Sequence, residues 1–331
     1  MGGRFRASRV FNVVVLVVGA VAFGVLFRST GWAATKHAIV SAGWWFVAIG
    51  AIDLASVCCD SAGIYSFIRP KTEVAYARVF AAQASGLAIN RLTPGNSLGE
   101  PTKMTMLAGH VPESLAVAGV VMFNIAQYYI AFAAIVLGVP ATLLMLDLPP
   151  RAEVAVWIAT AVIIVIAIGA AIVIKRGAVA TLIASLARMR IISASRAATW
   201  TARIAEIDDQ LKTLGDVHSA GTTRGVAYIF LSRCLNWAGT IAVLLASHIP
   251  LTVPLVIAMM SAGILLTWLS SVIPLGLGIA DGGNYALYGL LGASPAAGLV
   301  FSMVNRVRTI VLAALGLAVM AIANALTRRR A

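Results

Sequence analysis

Asn90-Arg91-Leu92-Thr93-Pro94-Gly95-Asn96-Ser97-Leu98-Gly99-Glu100 is the stretch that decides the architecture. A helical pattern precedes it over 74–92 and a shorter one follows over 97–108. Neither arm comfortably supplies the roughly 20 apolar residues that cross a bilayer. Pro94 lacks an N–H, and Gly95 tolerates backbone conformations that other residues avoid, so the helix must break between them. The two arms together predict a hairpin, 74–108, that enters and leaves the membrane on one side, either as a re-entrant loop or as two full crossings. Irregular backbone survives at that depth only where it is buried in protein or lines water.

Outward from this stretch the chain is apolar almost throughout. Of 331 residues, 60% are apolar and 11% charged, with a mean hydropathy of +0.94. Soluble domains carry about 25% charged residues, so a water-soluble enzyme and a single-span receptor are both excluded. Full spans are expected at 10–27, 39–64, 115–137, 154–174, 225–247 and 297–326. The 25 Lys+Arg outnumber the 12 Asp+Glu, giving a net charge of +13. In a membrane protein that excess marks cytoplasmic loops and contact with anionic headgroups, so no nucleic-acid partner is inferred. Residues 175–224 hold eight Lys+Arg and four acids and read as cytoplasmic amphipathic helices. Arg4, Arg6 and Arg9 at one end and Arg328-Arg329-Arg330 at the other place both termini inside.

Counting crossings from those anchors leaves 251–291 starting and ending outside. Its apolar run 251–272 ends in Ile273-Pro274-Leu275-Gly276-Leu277-Gly278-Ile279-Ala280-Asp281, and a short helical pattern, 282–291, follows. The expected architecture is therefore an all-α polytopic helix bundle forming one integral-membrane domain. Its first half is 10–174 with hairpin 74–108, and its second half is 225–326 with hairpin 251–291. The hairpins enter from opposite faces, as inverted repeats do, and paired broken segments of this kind point to a midplane transport site.

An ionisable side chain at the bilayer centre costs about 2.5–3.5 kcal/mol on insertion scales. Asp53, Arg91, Glu100, Arg233, Asp281, Arg306 and Arg308 all fall at that depth and must face one another or a wet passage. Arg91, Arg233 and Arg306 are the natural phosphate partners, because a guanidinium binds phosphate through two parallel hydrogen bonds. Their alternative role is a buried ion pair with Glu100, Asp53 or Asp281. Ser97 and Glu100 have the spacing of a capping box, and Asp281 could cap the helix after it. Asp53 and Asp60, seven residues apart, share a helix face. Pro94, Gly95 and Gly99, with Pro274, Gly276 and Gly278 in the second half, free backbone N–H groups at half-helix ends, where anions are favoured. Cys58, Cys59 and Cys234 and the four scattered histidines show no metal-ligand spacing, and no nucleotide motif occurs. Neither a cofactor nor a metal is expected.

The quoted stretch, with Lys103 and Leu107 beyond it, resembles the N-x-x-x-P-x-x-x-G-E-x-x-(R/K) motif of the lysylphosphatidylglycerol synthase transmembrane family, or flippase-like domain proteins. The segment 273–281 is similar to that family's P-x-x-x-G-(I/V)-x-E motif, and the Arg306 region of the last span also resembles it. The likeness covers about 10–325. Two departures stand out: Asp281 replaces the usual Glu, and one extra residue lies between Pro94 and Gly99. The bifunctional members carry a soluble aminoacyl-transferase domain after the membrane region; a chain ending at Ala331 is not expected to synthesise aminoacylated lipid itself, and with no catalytic motif found no enzymatic activity is expected. The resemblance implies movement of a phospholipid or lipid-linked intermediate between leaflets of the cytoplasmic membrane of a prokaryote. Its implied partners are membrane lipids and a separately encoded lipid-modifying enzyme. The resulting candidate substrate contacts are Asn90, Arg91, Pro94, Gly95, Gly99, Glu100, Lys103, Arg233, Pro274, Gly276, Gly278, Asp281 and Arg306. The competing readings are a small-solute or ion secondary transporter and a polyprenyl-phosphate-dependent glycosyltransferase. The second usually has acids on its first external loop, and residues 28–38 contain none.

Overall fold

A computed structural model describes residues 43–145, 219–271 and 278–329 continuously, with isolated helical positions between 11 and 40 and between 154 and 165. Half of the expected span 10–27, most of 154–174 and nearly all of the polar segment 175–224, together with Pro274 and Gly276, lie outside the described residues. All the regular structure within them is helical, with no strand among the described residues. The helices are α1 (Trp44–Ile68), α2 (Tyr76–Leu92), α3 (Gly99–Ala108), α4 (Glu113–Leu143), α5 (Ala220–Ala246), α6 (Val253–Met260), α7 (Ala262–Ser270), α8 (Ile279–Leu290) and α9 (Pro295–Arg329). By length and composition α1, α4, α5 and α9 can each cross a membrane, and α6 with α7 makes a fifth crossing if that bent pair is one span. The chain is a polytopic membrane protein.

In lipid, helices gain nothing from leaving hydrocarbon for hydrocarbon, so close packing through small residues has to hold them together. The central seam between α1 and α5 is built that way. A Cβ on Gly63 would come within 2.7 Å of the Ile229 side chain, and one on Gly225 would strike the Phe67 ring. The hydroxyls of Ser56 and Ser232 meet at 2.9 Å. Contacts that advance along α1, from Ser56 to Gly63, recede along α5, from Ser232 to Gly225. The two helices are thus antiparallel.

Around this seam the halves exchange partners. α9 lies against α2, while α4 lies against α6 and α7. One glycine makes each approach tight. A Cβ on Gly316 of α9 would come within 2.5 Å of the Ala84 carbonyl, and one on Gly138 of α4 within 2.5 Å of the Ser261 side chain.

The first hairpin forms where the Pro-Gly break was read. α2 ends at Leu92, a single 3-10 turn covers Pro94–Asn96, and α3 follows. Gly95 and Asn96 both have positive φ, 64° and 51°, which glycine and asparagine accept most readily. The capping of α3 differs from the expected Ser97–Glu100 box: Leu98 is its N-cap residue, and no side chain there accepts a capping bond. The cap comes from across the hairpin, where Asn90 Oδ1 accepts the Gly99 N–H at 2.7 Å. A tertiary contact has displaced the local one because Gly99, lacking a Cβ, packs directly on Asn90 and the Gly86 carbonyl.

The second hairpin holds a break that composition did not reveal. The run 251–272 reads as one helix, yet α6 and α7 diverge by 44°. Ser261, between them, turns its hydroxyl back onto the Ile257 carbonyl at 2.7 Å while its Cβ seats on Gly138. A side chain bonding into its own helix ladder while wedged against a neighbour is an identifiable cause of bending. The tip of the first hairpin meets the end of α7 in the second, where the Gly95 N–H donates to the Ser271 carbonyl at 2.8 Å.

Candidate functional site

Where the hairpins meet, α2, α5, α7, α8 and α9 enclose a cavity of about 410 Å³. Arg91, Arg233, Arg306 and Arg308 line it, and Asp281 is the one carboxylate among its lining residues. Asn96 and Thr267 are both lining and exposed, which places its mouth beside the first hairpin tip and α7.

The four arginines divide into two kinds. Arg308 and Asp53 form a buried fork, with Nε donating to Oδ2 at 2.7 Å and Nη2 donating to Oδ1. The fork ties α9 to α1, and Gly239 of α5 makes room for it, since a Cβ there would stand 2.8 Å from Arg308 Nη2. Arg306 Nη2 donates to both oxygens of Asp281, at 2.8 and 2.7 Å. Asp281 also accepts the Gly278 N–H at 3.3 Å, so it caps α8 and pairs with Arg306 at once.

Arg91 and Arg233 have no carboxylate partner within ion-pair distance among the described residues. Arg91 reaches across to α9 and donates to the Thr309 hydroxyl at 3.2 Å. Arg233 Nη2 donates to the side-chain Oε1 of Gln127 at 2.8 Å. The Nε groups of both, and the indole Nε1 of Trp237, are buried without an acceptor. Each unsatisfied buried donor costs about 1–3 kcal/mol, more when charged. Arg91, Arg233 and Trp237 line the cavity, while these three nitrogens are sealed within the protein beside it.

Of the residues singled out from the sequence, Asn90, Arg91, Arg233, Asp281 and Arg306 come together around the cavity. Gly95 lies at the tip contact, Pro94 lies in the turn before it, and Gly278 opens α8. Gly99, Glu100 and Lys103 are not among the lining residues. Glu100 accepts from Asn90 at 3.0 Å, Lys103 at 2.7 Å and Asn124 at 2.8 Å, binding α2, α3 and α4 into a clasp. Lys103 Nζ also lies 5.0 Å over the Phe123 ring. The cavity residues Asn236 and Trp237 were not read from the sequence. The available signal was their place three and four residues after Arg233, on one helix face. No group of three His, Cys, Asp or Glu able to hold a metal occurs among the described residues.

Among protein-family models, the lysylphosphatidylglycerol synthase transmembrane region matches residues 12–316. No curated protein and no solved structure matches the chain.

Proposed function

The chain belongs to the lysylphosphatidylglycerol synthase transmembrane region family, and from that premise we propose that it moves an anionic phospholipid or lipid-linked intermediate between leaflets. The cytoplasmic membrane of a prokaryote is the setting this reading implies, with both termini inside. The reading rests on Arg91 and Arg233, which line the cavity with no carboxylate within ion-pair distance among the described residues. A phosphate diester offers two anionic oxygens, which suit a pair of guanidiniums. Flip-flop is slow because a polar headgroup must cross hydrocarbon without hydrogen-bond partners. The cavity supplies those partners at the level of the hairpin tips, while the acyl chains stay in lipid. Arg306 and Asp281, already paired, form a gate that can open to the phosphate. A separately synthesised lipid, delivered by a lipid-modifying enzyme in the same membrane, would fit this reading.

The cavity volume by itself also suits a small soluble anion, so the test needs two arms. Phosphatidylcholine vesicles carrying a trace of NBD-phosphatidylglycerol report leaflet exchange by dithionite quenching, and labelled inorganic phosphate reports uptake. The expected result is lipid exchange without phosphate uptake. Arg91→Gln should slow that exchange by about 10–100-fold, the worth of one charged hydrogen bond or two. An R91Q rate equal to that of the unaltered protein overturns the reading, and phosphate uptake without lipid exchange replaces it with the soluble-anion alternative.

A further inference from the structure

Behind the cavity lies a buried carboxylate that the anion site itself does not use. Asp60 of α1 has 7% of its surface exposed, and no cation lies within ion-pair distance of it among the described residues. Asp53, two turns away on the same helix, has Arg308. Asp60 instead receives side-chain amides: Gln83 of α2 donates to Oδ2 at 3.3 Å, and Gln127 of α4 donates to Oδ1 at 2.9 Å. The Ser232 hydroxyl of α5 also faces it. A carboxylate held only by neutral groups in a dry place is far cheaper to bury protonated than ionised.

A second, independent observation comes from Gln83. Its Oε1 is buried without any donor, in a residue only 1% exposed. Half a turn of that amide presents Oε1 to Asp60. The contact is attractive only if Asp60 carries a proton to donate. The site thus has a place for the proton built beside it.

Gln127 connects this carboxylate to the anion site. One end of its amide donates to Asp60, and the other accepts from Arg233. The charge on Asp60 is therefore felt by a cavity guanidinium one side chain away. Ionised, Asp60 partly neutralises Arg233. Protonated, it leaves Arg233 fully cationic toward an incoming anion. The other charged or titratable groups facing Asp60 are Lys103 of α3, held by Glu100, and its own neighbour Cys59. The facing residues of α2 and α4 are the glutamines.

We propose that Asp60 is a proton-binding site coupled through Gln127 to the Arg233 side of the cavity, and that the protein carries a proton together with its anion. Because each ligand raises the affinity for the other by the same factor, the two travel as a neutral pair. The proton comes from water on one side and returns to water on the other, with no bond to carbon or phosphorus made or broken. This deepens the lipid reading above and rests on it.

The test uses phosphatidylcholine vesicles with a trace of NBD-phosphatidylglycerol, a pH difference of about one unit across the membrane, and valinomycin with potassium to clamp the potential. One-to-one coupling steers the probe toward about a tenfold imbalance between leaflets, above that of protein-free vesicles. Asp60→Asn, with folding checked by its melting temperature, should lose the steering, and Asp60→Glu should keep it. Wild-type exchange that ignores the gradient overturns the proton link while leaving the lipid reading intact. Steering that survives in D60N overturns the assignment to Asp60. Wild-type vesicles with no exchange even at equal pH overturn the lipid reading, and this inference with it.

Discussion

Each hairpin carries an acid close to its break, and the two acids do different work. Glu100 of the first hairpin accepts three hydrogen bonds, one from each of three helices, and lies away from the cavity. Asp281 of the second lines the cavity, caps its own helix and holds one arginine. Similar motifs form a three-helix clasp in one half and a helix-capping ion pair at the cavity wall in the other. What separates them is the neighbourhood. The acids are similarly exposed, Glu100 at 26% and Asp281 at 31%, but the Lys103 cation is sealed at 3% while Arg306 is 17% exposed. The acid of the first hairpin is thus held by three protein partners, and that of the second by one arginine at the cavity wall.

Neutralising the two acids is the sharpest way to break that contrast. Glu100→Gln leaves the Lys103 ammonium buried with no carboxylate, a loss of about 3–5 kcal/mol. Asp281→Asn removes a partly hydrated pair, whose contribution to stability is about 0–1 kcal/mol. In detergent, E100Q should therefore melt far below the unaltered protein and D281N close to it. D281N should instead change leaflet exchange, because Arg306 is left free to hold the anion and to release it slowly. Equal melting temperatures for the two variants would show that Glu100 is no more structural than Asp281.

A smaller contrast concerns the glycines at the two breaks. Gly99 is required by space, since a Cβ would strike Asn90 and the Gly86 carbonyl. Gly278 is required by conformation, with φ 81° and open space where a Cβ would go. Gly99→Ala should unseat the α2–α3 packing, at a cost of about 1–3 kcal/mol as an overpacked core does. Gly278→Ala should cost about 1–2 kcal/mol of left-handed backbone strain and no packing. Thermal melting orders the pair, and amide exchange localises the loosening to α2 and α3 in G99A only. Loosening of α2 and α3 in G278A as well would mean that the hairpins are coupled through the Gly95–Ser271 bond.

These elements also show how far the sequence could be read. The helices, the first break and the convergence of Arg91, Arg233, Asp281 and Arg306 follow from hydropathy, Pro-Gly chemistry and the cost of burying charge. Those are local or compositional signals. The bend at Ser261 carries no such mark, because it is imposed by Gly138 on another helix. The cap of α3 was assigned to Ser97 by local spacing, but Asn90 from across the hairpin makes it. Arg308 pairs with Asp53 over 255 positions of chain, and no spacing rule spans that distance. Glu100 looked like a substrate contact for the same reason that makes it a clasp. An acid at a break needs partners, and the sequence alone does not say whether they are protein or lipid.

The smallest expected effect lies at the base of the first hairpin, where pH enters. His110, between α3 and α4, has its Nε2 2.9 Å from Arg78 Nη1. A guanidinium can only donate, so the ring must accept there, neutral, with its proton on Nδ1. Burial, and then the Arg78 charge, hold the imidazole below its usual range. A base whose folded pKa is lowered adds stability that is complete above the unfolded value of about 6.5 and fades as pH falls from there through the folded one. His110→Gln should therefore melt slightly below the unaltered protein at pH 8, with the gap closing by pH 5.5. The second hairpin has no such contact among the described residues, so its variants should keep a constant offset over the same range. A gap at His110 that widens with acid would mean that the ring is protonated in the folded protein, with Arg78 turned away from it.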